Sequence, residues 1–118
     1  MSPTVFTTQV EEHGDVQIIH LKGMLGYDAY PQLKELLDAL MTADGPRLIL
    51  NCTRLDYVNS KGLMLLARCQ RMAEANNSFF GIASLNSRII RAVEILGMGK
   101  LVKLFPTMDD ALAAAADV

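Results

Sequence analysis

Apolar and polar positions change period several times along the chain, and each change marks an element. Val5 to Val10 and Val16 to Leu21 are short β-prone runs separated by Glu11-Glu12-His13-Gly14-Asp15, and together they predict a hairpin. Beyond Gly23 and Gly26, Asp28 is placed to cap a helix whose first turn tolerates Pro31. In that helix Leu33, Leu36, Leu37, Leu40 and Met41 recur at helical spacing, while Gln32, Lys34, Glu35 and Asp38 face outward. Asp44-Gly45-Pro46 stops it.

Leu48-Ile49-Leu50 then forms a continuous apolar run ending in polar Asn51 and Thr53, the pattern of a central strand covered on both faces. Strand, crossover helix and strand in this order predict a partly parallel sheet. Val58 leads through Asn59 and Ser60 into a second helix, with Ser60 at or near its N-cap and its hydroxyl at the surface. Gly62, Leu65, Leu66, Cys69, Met72 and Ala73 fall on the side facing the sheet. Lys61, Met64, Arg68 and Arg71 share another stripe, which reads either as a solvated face with one stray methionine or as a contact face with an apolar anchor and a basic rim.

Asn76-Asn77-Ser78 ends this helix and Phe79 to Ala83 makes another strand. Ser84 or Asn86 can cap a third helix in which Ile89, Ile90, Val93 and Leu96 turn inward, closed by Gly97-Met98-Gly99. Leu101 to Phe105 is a last short strand, and Thr107 with Asp110 opens an Ala-rich helix from about Met108 to Ala116. The sum is an α/β fold: a mixed sheet of four to five strands, an N-terminal hairpin and about four helices. No linker, repeat or low-complexity tract divides it, so residues 1–118 read as a single domain.

Composition narrows the function classes. A chain of 118 residues is long enough to bury roughly 65% of its unfolded surface without staples. A net charge of -2 offers no general attraction to nucleic acid. Cys52 and Cys69, the only cysteines, sit in apolar patterns and read as buried reduced thiols. No apolar window approaches a membrane span and the N-terminus lacks a signal-like segment, which predicts no membrane insertion and a cytoplasmic protein.

Reactive groups do not converge. His13 is expected in a turn and His20 in a strand, with no metal-like spacing to each other or to the cysteines, so no metal and no cofactor is expected. Gly97-x-Gly99 follows a helix, the wrong context for a dinucleotide loop. Asp56 and Asn59 precede Ser60, but no nearby histidine would serve as its base. His20 and Asp56 are the least poor candidates for acid–base work, and the chain is not expected to be an enzyme. A serine at a helix start has another use. A phosphate there adds about -1.5 to -2 charges beside free N–H groups, which the fold tolerates while a docking surface does not. Against this stands Ser60 as a cap alone, worth about 1 kcal/mol.

Leu48-Ile-Leu-Asn followed by Leu55-Asp-Tyr-Val-Asn-Ser-Lys-Gly-Leu resembles the signature of STAS domains, especially bacterial anti-sigma factor antagonists, where a hydrophobic strand precedes Asp-Ser-Ser-Gly-Leu or Asp-Ser-Thr-Gly-Leu. Leu21-Lys-Gly-Met-Leu-Gly lies where the family tends to have Leu-x-Gly-Glu-Leu-Asp. Ser87-Arg-Ile-Ile-Arg-Ala-Val-Glu-Ile-Leu-Gly-Met resembles its third-helix pattern. The resemblance implies that Ser60 is the phosphoacceptor. It implies as partners an anti-sigma factor that is often itself the serine protein kinase, and a PP2C-type phosphatase that reverses the modification. The unphosphorylated protein binds the anti-sigma factor; the phosphorylated one releases it. Three positions depart from the pattern: Asn59 for the motif aspartate, Lys61 for the second hydroxyl residue, and Gly26 for an aspartate near the partner-facing surface. An alternative within the family is a constitutive STAS subunit of a larger complex, such as a lipid-transport ABC system, that grips its partner without covalent switching. The expected partner face comprises Tyr57, Asn59, Ser60, Lys61, Met64 and Arg68, with Tyr27 and Asp28 from the adjoining loop.

Overall fold

The computed structural model describes residues 5–42 and 45–118. Met1 to Thr4, and Asp44 of the helix stop, lie outside the described residues. Strands β1 (Thr7–His13), β2 (Val16–Leu25), β3 (Arg47–Val58), β4 (Phe80–Ala83) and β5 (Leu104–Phe105) form one sheet in that spatial order. β1 runs antiparallel to β2, and every later neighbour is parallel. The hairpin therefore opens a mixed five-stranded sheet. His13 ends β1 and is not in the turn, which is left to Gly14 and Asp15, with Gly14 left-handed at φ 60°.

Helices α1 (Tyr30–Leu40), α2 (Ser60–Ala75) and α3 (Ser87–Ile95) cover one face, and α4 (Met108–Ala116) covers the other. The first core joins Ile19, Leu21, Leu25, Leu33, Leu37, Leu50, Leu66, Ile82 and Val93. The second is smaller, with Val16, Ile18, Ile49 and Phe79 closed under Ala111 and Ala115. Leu48, Ile49 and Leu50 are at most 1% exposed, as their continuous apolar run requires of a strand covered on both sides. Burying side chains of this size stabilises by about 1.5 to 3 kcal/mol each.

β3 is longer than its apolar run suggests. The register against β2 slips twice, between His20/Lys22 and Gly23/Met24, so that β3 carries an extra residue at each place. Thr53 and Arg54 are consequently both exposed, as are Asp56 and Tyr57, while Cys52, Leu55 and Val58 stay buried. Strict alternation breaks, yet the strand continues to the start of α2.

Other local expectations need correcting. Asp28 does not cap α1: the N-cap position is Ala29, in helical conformation and without a side-chain cap. The Tyr30 N–H already donates to Gly26 O at 3.0 Å, so the helix is entered through a turn that satisfies its first donor from the backbone. The last strand is only Leu104–Phe105, because the chain first turns through Leu101 N–H to Met98 O at 2.9 Å. Leu96 does not turn inward; it is the C-cap of α3 and 49% exposed. There Gly97 (φ 70°) makes the left-handed turn in which its N–H reaches Glu94 O and the Met98 N–H reaches Val93 O at 2.9 Å. The chain reverses so that Met98, not Leu96, is tucked into the core.

Candidate functional site

The end of β3 fixes where α2 begins. The Asn59 N–H donates to Leu25 O at 3.0 Å, tying the junction to the end of β2. Asn59 is extended (φ -81°, ψ 171°), and its Oδ1 accepts from the Gly62 N–H at 2.8 Å. Asn59 is therefore the N-cap, and Ser60 is the first helical residue. An aspartate at position 59 would offer the same acceptor oxygen, so asparagine changes the charge of the motif and keeps its cap.

Gly62 makes the close approach possible. A Cβ there would stand 2.8 Å from Val58 Cγ1 and 3.0 Å from Leu25 Cδ2, so only glycine lets the first turn of α2 lie on the strand ends. Ser60 is left exposed, with the N–H groups of Ser60 and Lys61 lacking partners within the helix. Its hydroxyl is at the surface and outside the cap bond.

The stripe on α2 divides in two. Lys61 Nζ sits 4.4 Å above the Tyr30 ring, and Arg68 Nη2 reaches Asp38 Oδ1 at 3.5 Å, so both cations lean on α1. Asp38 also accepts from Lys34 at 2.7 Å; that bond, with the positive charges of Lys34 and Arg68, holds its carboxyl below the usual carboxylate range. Ser60, Met64, Ala67 and Arg71 lie within about 60° of one another on the helical wheel, on the adjoining side toward the end of α3. They form one wall of a hollow of about 330 Å³ closed by Leu96, Met98 and Leu101. Leu96 and Leu101 were not legible as surface residues, because Leu96 continues the apolar spacing of α3 and Leu101 read as the start of the last strand.

Tyr27, Asp28 and Tyr57 belong elsewhere. They line a second hollow of about 590 Å³ with Val5, Phe6, Met24, Gly26, Ala29 and Gln32 at the ends of β2 and β3. Tyr57 is paired with Met24 across the ladder, and both side chains are about half exposed. The expected partner face thus resolves into three parts: Ser60 with Met64 on the α3 side, Lys61 with Arg68 against α1, and Tyr27, Asp28 and Tyr57 at the strand ends. Asn59 stands at the junction as the cap.

His20 and Asp56 are not brought together. His20 lies on the face partly covered by α4, where Nε2 meets Glu11 Oε1 at 2.7 Å and Nδ1 meets Asn51 Nδ2 at 3.0 Å. Asp56 lines a different hollow with Met24, Tyr57 and Arg88. Cys52 and Cys69 are buried free thiols, and burial pushes them up to about 12 and about 11, so neither is a thiolate near neutral pH. Among the described residues, no group of three or more His, Cys, Asp or Glu side chains is placed to hold a metal ion, and no helix is long and apolar enough to cross a membrane.

The model of the STAS domain family matches residues 7–111. Anti-sigma-F factor antagonist RsfB of Mycobacterium tuberculosis is 23% identical over 111 residues, covering 94% of this chain and 90% of its own. The crystal structure of an anti-sigma factor antagonist from Mycobacterium paratuberculosis superposes with a TM-score of 0.86 at 27% identity, with 96% of each chain covered. SpoIIAA, an anti-sigma factor antagonist solved in its unphosphorylated form, shares the fold with a TM-score of 0.75 at 20% identity, over 95% of this chain and 98% of its own.

Proposed function

Because the chain belongs to the STAS domain family, we propose that it is a non-catalytic regulatory binding protein, an anti-sigma factor antagonist whose hold on its partner is released by phosphorylation of Ser60. The observation that carries the reading is the placement of Ser60: exposed, first in α2, outside the cap bond, and beside exposed apolar side chains. A dianion there lies against the positive end of the helix, so the domain keeps its fold while the docking surface acquires a strongly hydrated charge. Release then follows from desolvation cost and repulsion. The partners are an anti-sigma factor with serine kinase activity and a PP2C-type phosphatase, and the setting is the cytoplasm. Lys61 is occupied by the Tyr30 ring, and Asn59 retains the cap, so neither departure from the motif removes the acceptor geometry.

The test begins with the unphosphorylated protein immobilised in extract of its own cells, the bound protein identified and then purified. The proposal expects that protein to hold a sigma factor, which added antagonist displaces, and expects Ser60→Asp to abolish the displacement. A partner that belongs to a transport complex and binds wild type and Ser60→Asp alike would instead establish a constitutive subunit.

A further inference from the structure

Exposed large apolar residues gather in two places: Val5, Met24, Tyr27 and Tyr57 line the hollow at the strand ends, and Met64, Leu96 and Leu101 lie beside Ser60. Met64 is 65% exposed, Leu96 49% and Leu101 46%. Met64, Leu96 and Leu101 form a groove with Met98 at its floor, only 7% exposed. The apolar spacing of α3 runs through Leu96, yet among the described residues no element covers it fully. A side chain patterned for burial and left half exposed points to a surface completed by another molecule.

The groove has a definite length and polarity. Ser60, Met64, Ala67 and Arg71 lie on one stripe of α2, and from Ser60 to Arg71 the rise is about 16 Å, or three helical turns. Among the described residues, Ser60 and Arg71 are the only polar ones that line it, one near each end, and none that lines it is acidic. Arg71 is exposed and takes part in none of the ion pairs among the described residues.

We propose that the groove between α2 and the turn after α3 receives an amphipathic helix of the partner protein, about three turns long. Its apolar side chains at i, i+3 or i+4, and i+7 lie over Met98 between Met64 and Leu101, an Asp or Glu pairs with Arg71, and no acid stands beside Ser60. A second copy of this chain is a poorer occupant, since the same stripe would present Arg71 and no carboxylate. The assignment rests on the Ser60 reading only for its control: a phosphate on Ser60 would occupy the end of the groove opposite Arg71 and close it to a helix carrying acidic residues.

Photo-crosslinking in the source cells tests this, with p-benzoylphenylalanine in place of Leu96, Leu101 or, for comparison, Tyr27, and the attached peptide sequenced. Adducts from positions 96 and 101 onto one partner segment with apolar residues at helical spacing and an acidic residue support the groove. So does a loss of affinity of tenfold or more in Arg71→Glu, recovered by reversing the partner's acid, where Arg91→Glu changes it less than twofold. Adducts with a second copy, adducts onto a segment without that pattern, or no adduct from 96 and 101 overturn it, whether or not Tyr27 reacts. Adducts from 96 and 101 that persist in Ser60→Asp support the groove and refute its control by Ser60.

Discussion

Two helices of this protein begin with the same dipeptide. Asn59-Ser60 opens α2 and Asn86-Ser87 opens α3; in each the asparagine is extended, its side-chain oxygen accepts the N–H three residues on, at 2.8 and 2.9 Å, and the serine that follows is exposed. The cap bond and the exposed serine are therefore common to both helices, and they cannot by themselves make a site. Surroundings differ. Ser60 adjoins Met64, Leu96 and Leu101, whereas Ser87 lies with Arg88, Ile90, Arg91 and Glu94 on an exposed charged face. A phosphate at position 87 would meet nearby arginines and water; one at position 60 would meet a surface with apolar area to lose.

The largest expected effect follows from that contrast. Ser60→Asp weakens partner binding at least a hundredfold, and Ser87→Asp changes it less than threefold, in calorimetric titrations against the purified partner. Neither variant melts below wild type, since an added carboxylate at a helix N-terminus contributes about 0.3 to 1 kcal/mol. Equal losses at the two serines would dissolve the distinction.

Glycines give the next effect. Gly62→Ala forces a methyl against Val58 and Leu25 and costs about 1 to 3 kcal/mol in urea unfolding. Gly26→Ala meets nothing within 4 Å and stays within about 0.5 kcal/mol. The two caps then separate by their second bonds. Asn59→Ala loses one side-chain cap bond, about 1 kcal/mol. Asn86→Ala loses more, because Asn86 Nδ2 also donates to Leu55 O at 3.2 Å and Asp56 O at 3.4 Å. Asn59→Asp stays close to wild type in stability, for the acceptor oxygen is retained.

The smallest effect is chemical. Burial raises Cys52 and Cys69 from 9.0 to about 12 and about 11, so the native thiols resist a disulfide reagent at pH 8 and react once the protein is denatured. Unfolded thiols lose protons that the native ones retain. Their contribution to stability is therefore complete below about pH 9 and declines as the pH climbs toward 11 to 12. Reaction of either cysteine in the folded protein at pH 8 would contradict the burial.

Much of this was legible in the residues, and the failures have physical causes. Leu48-Ile49-Leu50 announced a strand covered on both faces, and Thr107 announced α4, because each rests on a local rule that packing does not override. Ser60 was read at or near the N-cap of α2; the extended backbone at Asn59 gives the cap to that residue and makes Ser60 the first helical one. The two bulges of β3 were hidden because a slipped register exposes neighbours such as Thr53 and Arg54 that alternation would place on opposite faces. Leu96 was hidden for the opposite reason: its spacing is that of the core, and only the left-handed turn at Gly97 sends the chain inward at Met98 instead. Lys61 and Arg68 shared a stripe with Met64 in the sequence, and only the position of α1, with Tyr30 and Asp38, separates them from it.

The central claim is that Ser60 is the modified serine. It is tested most directly by the intact mass of the protein isolated from its own cells across growth conditions, with fragmentation to locate any phosphate. The account predicts one phosphate, on Ser60 and not on Ser87, with an occupancy that changes with conditions. A phosphate confined to Ser87, or none under any condition with phosphatases inhibited, would contradict it.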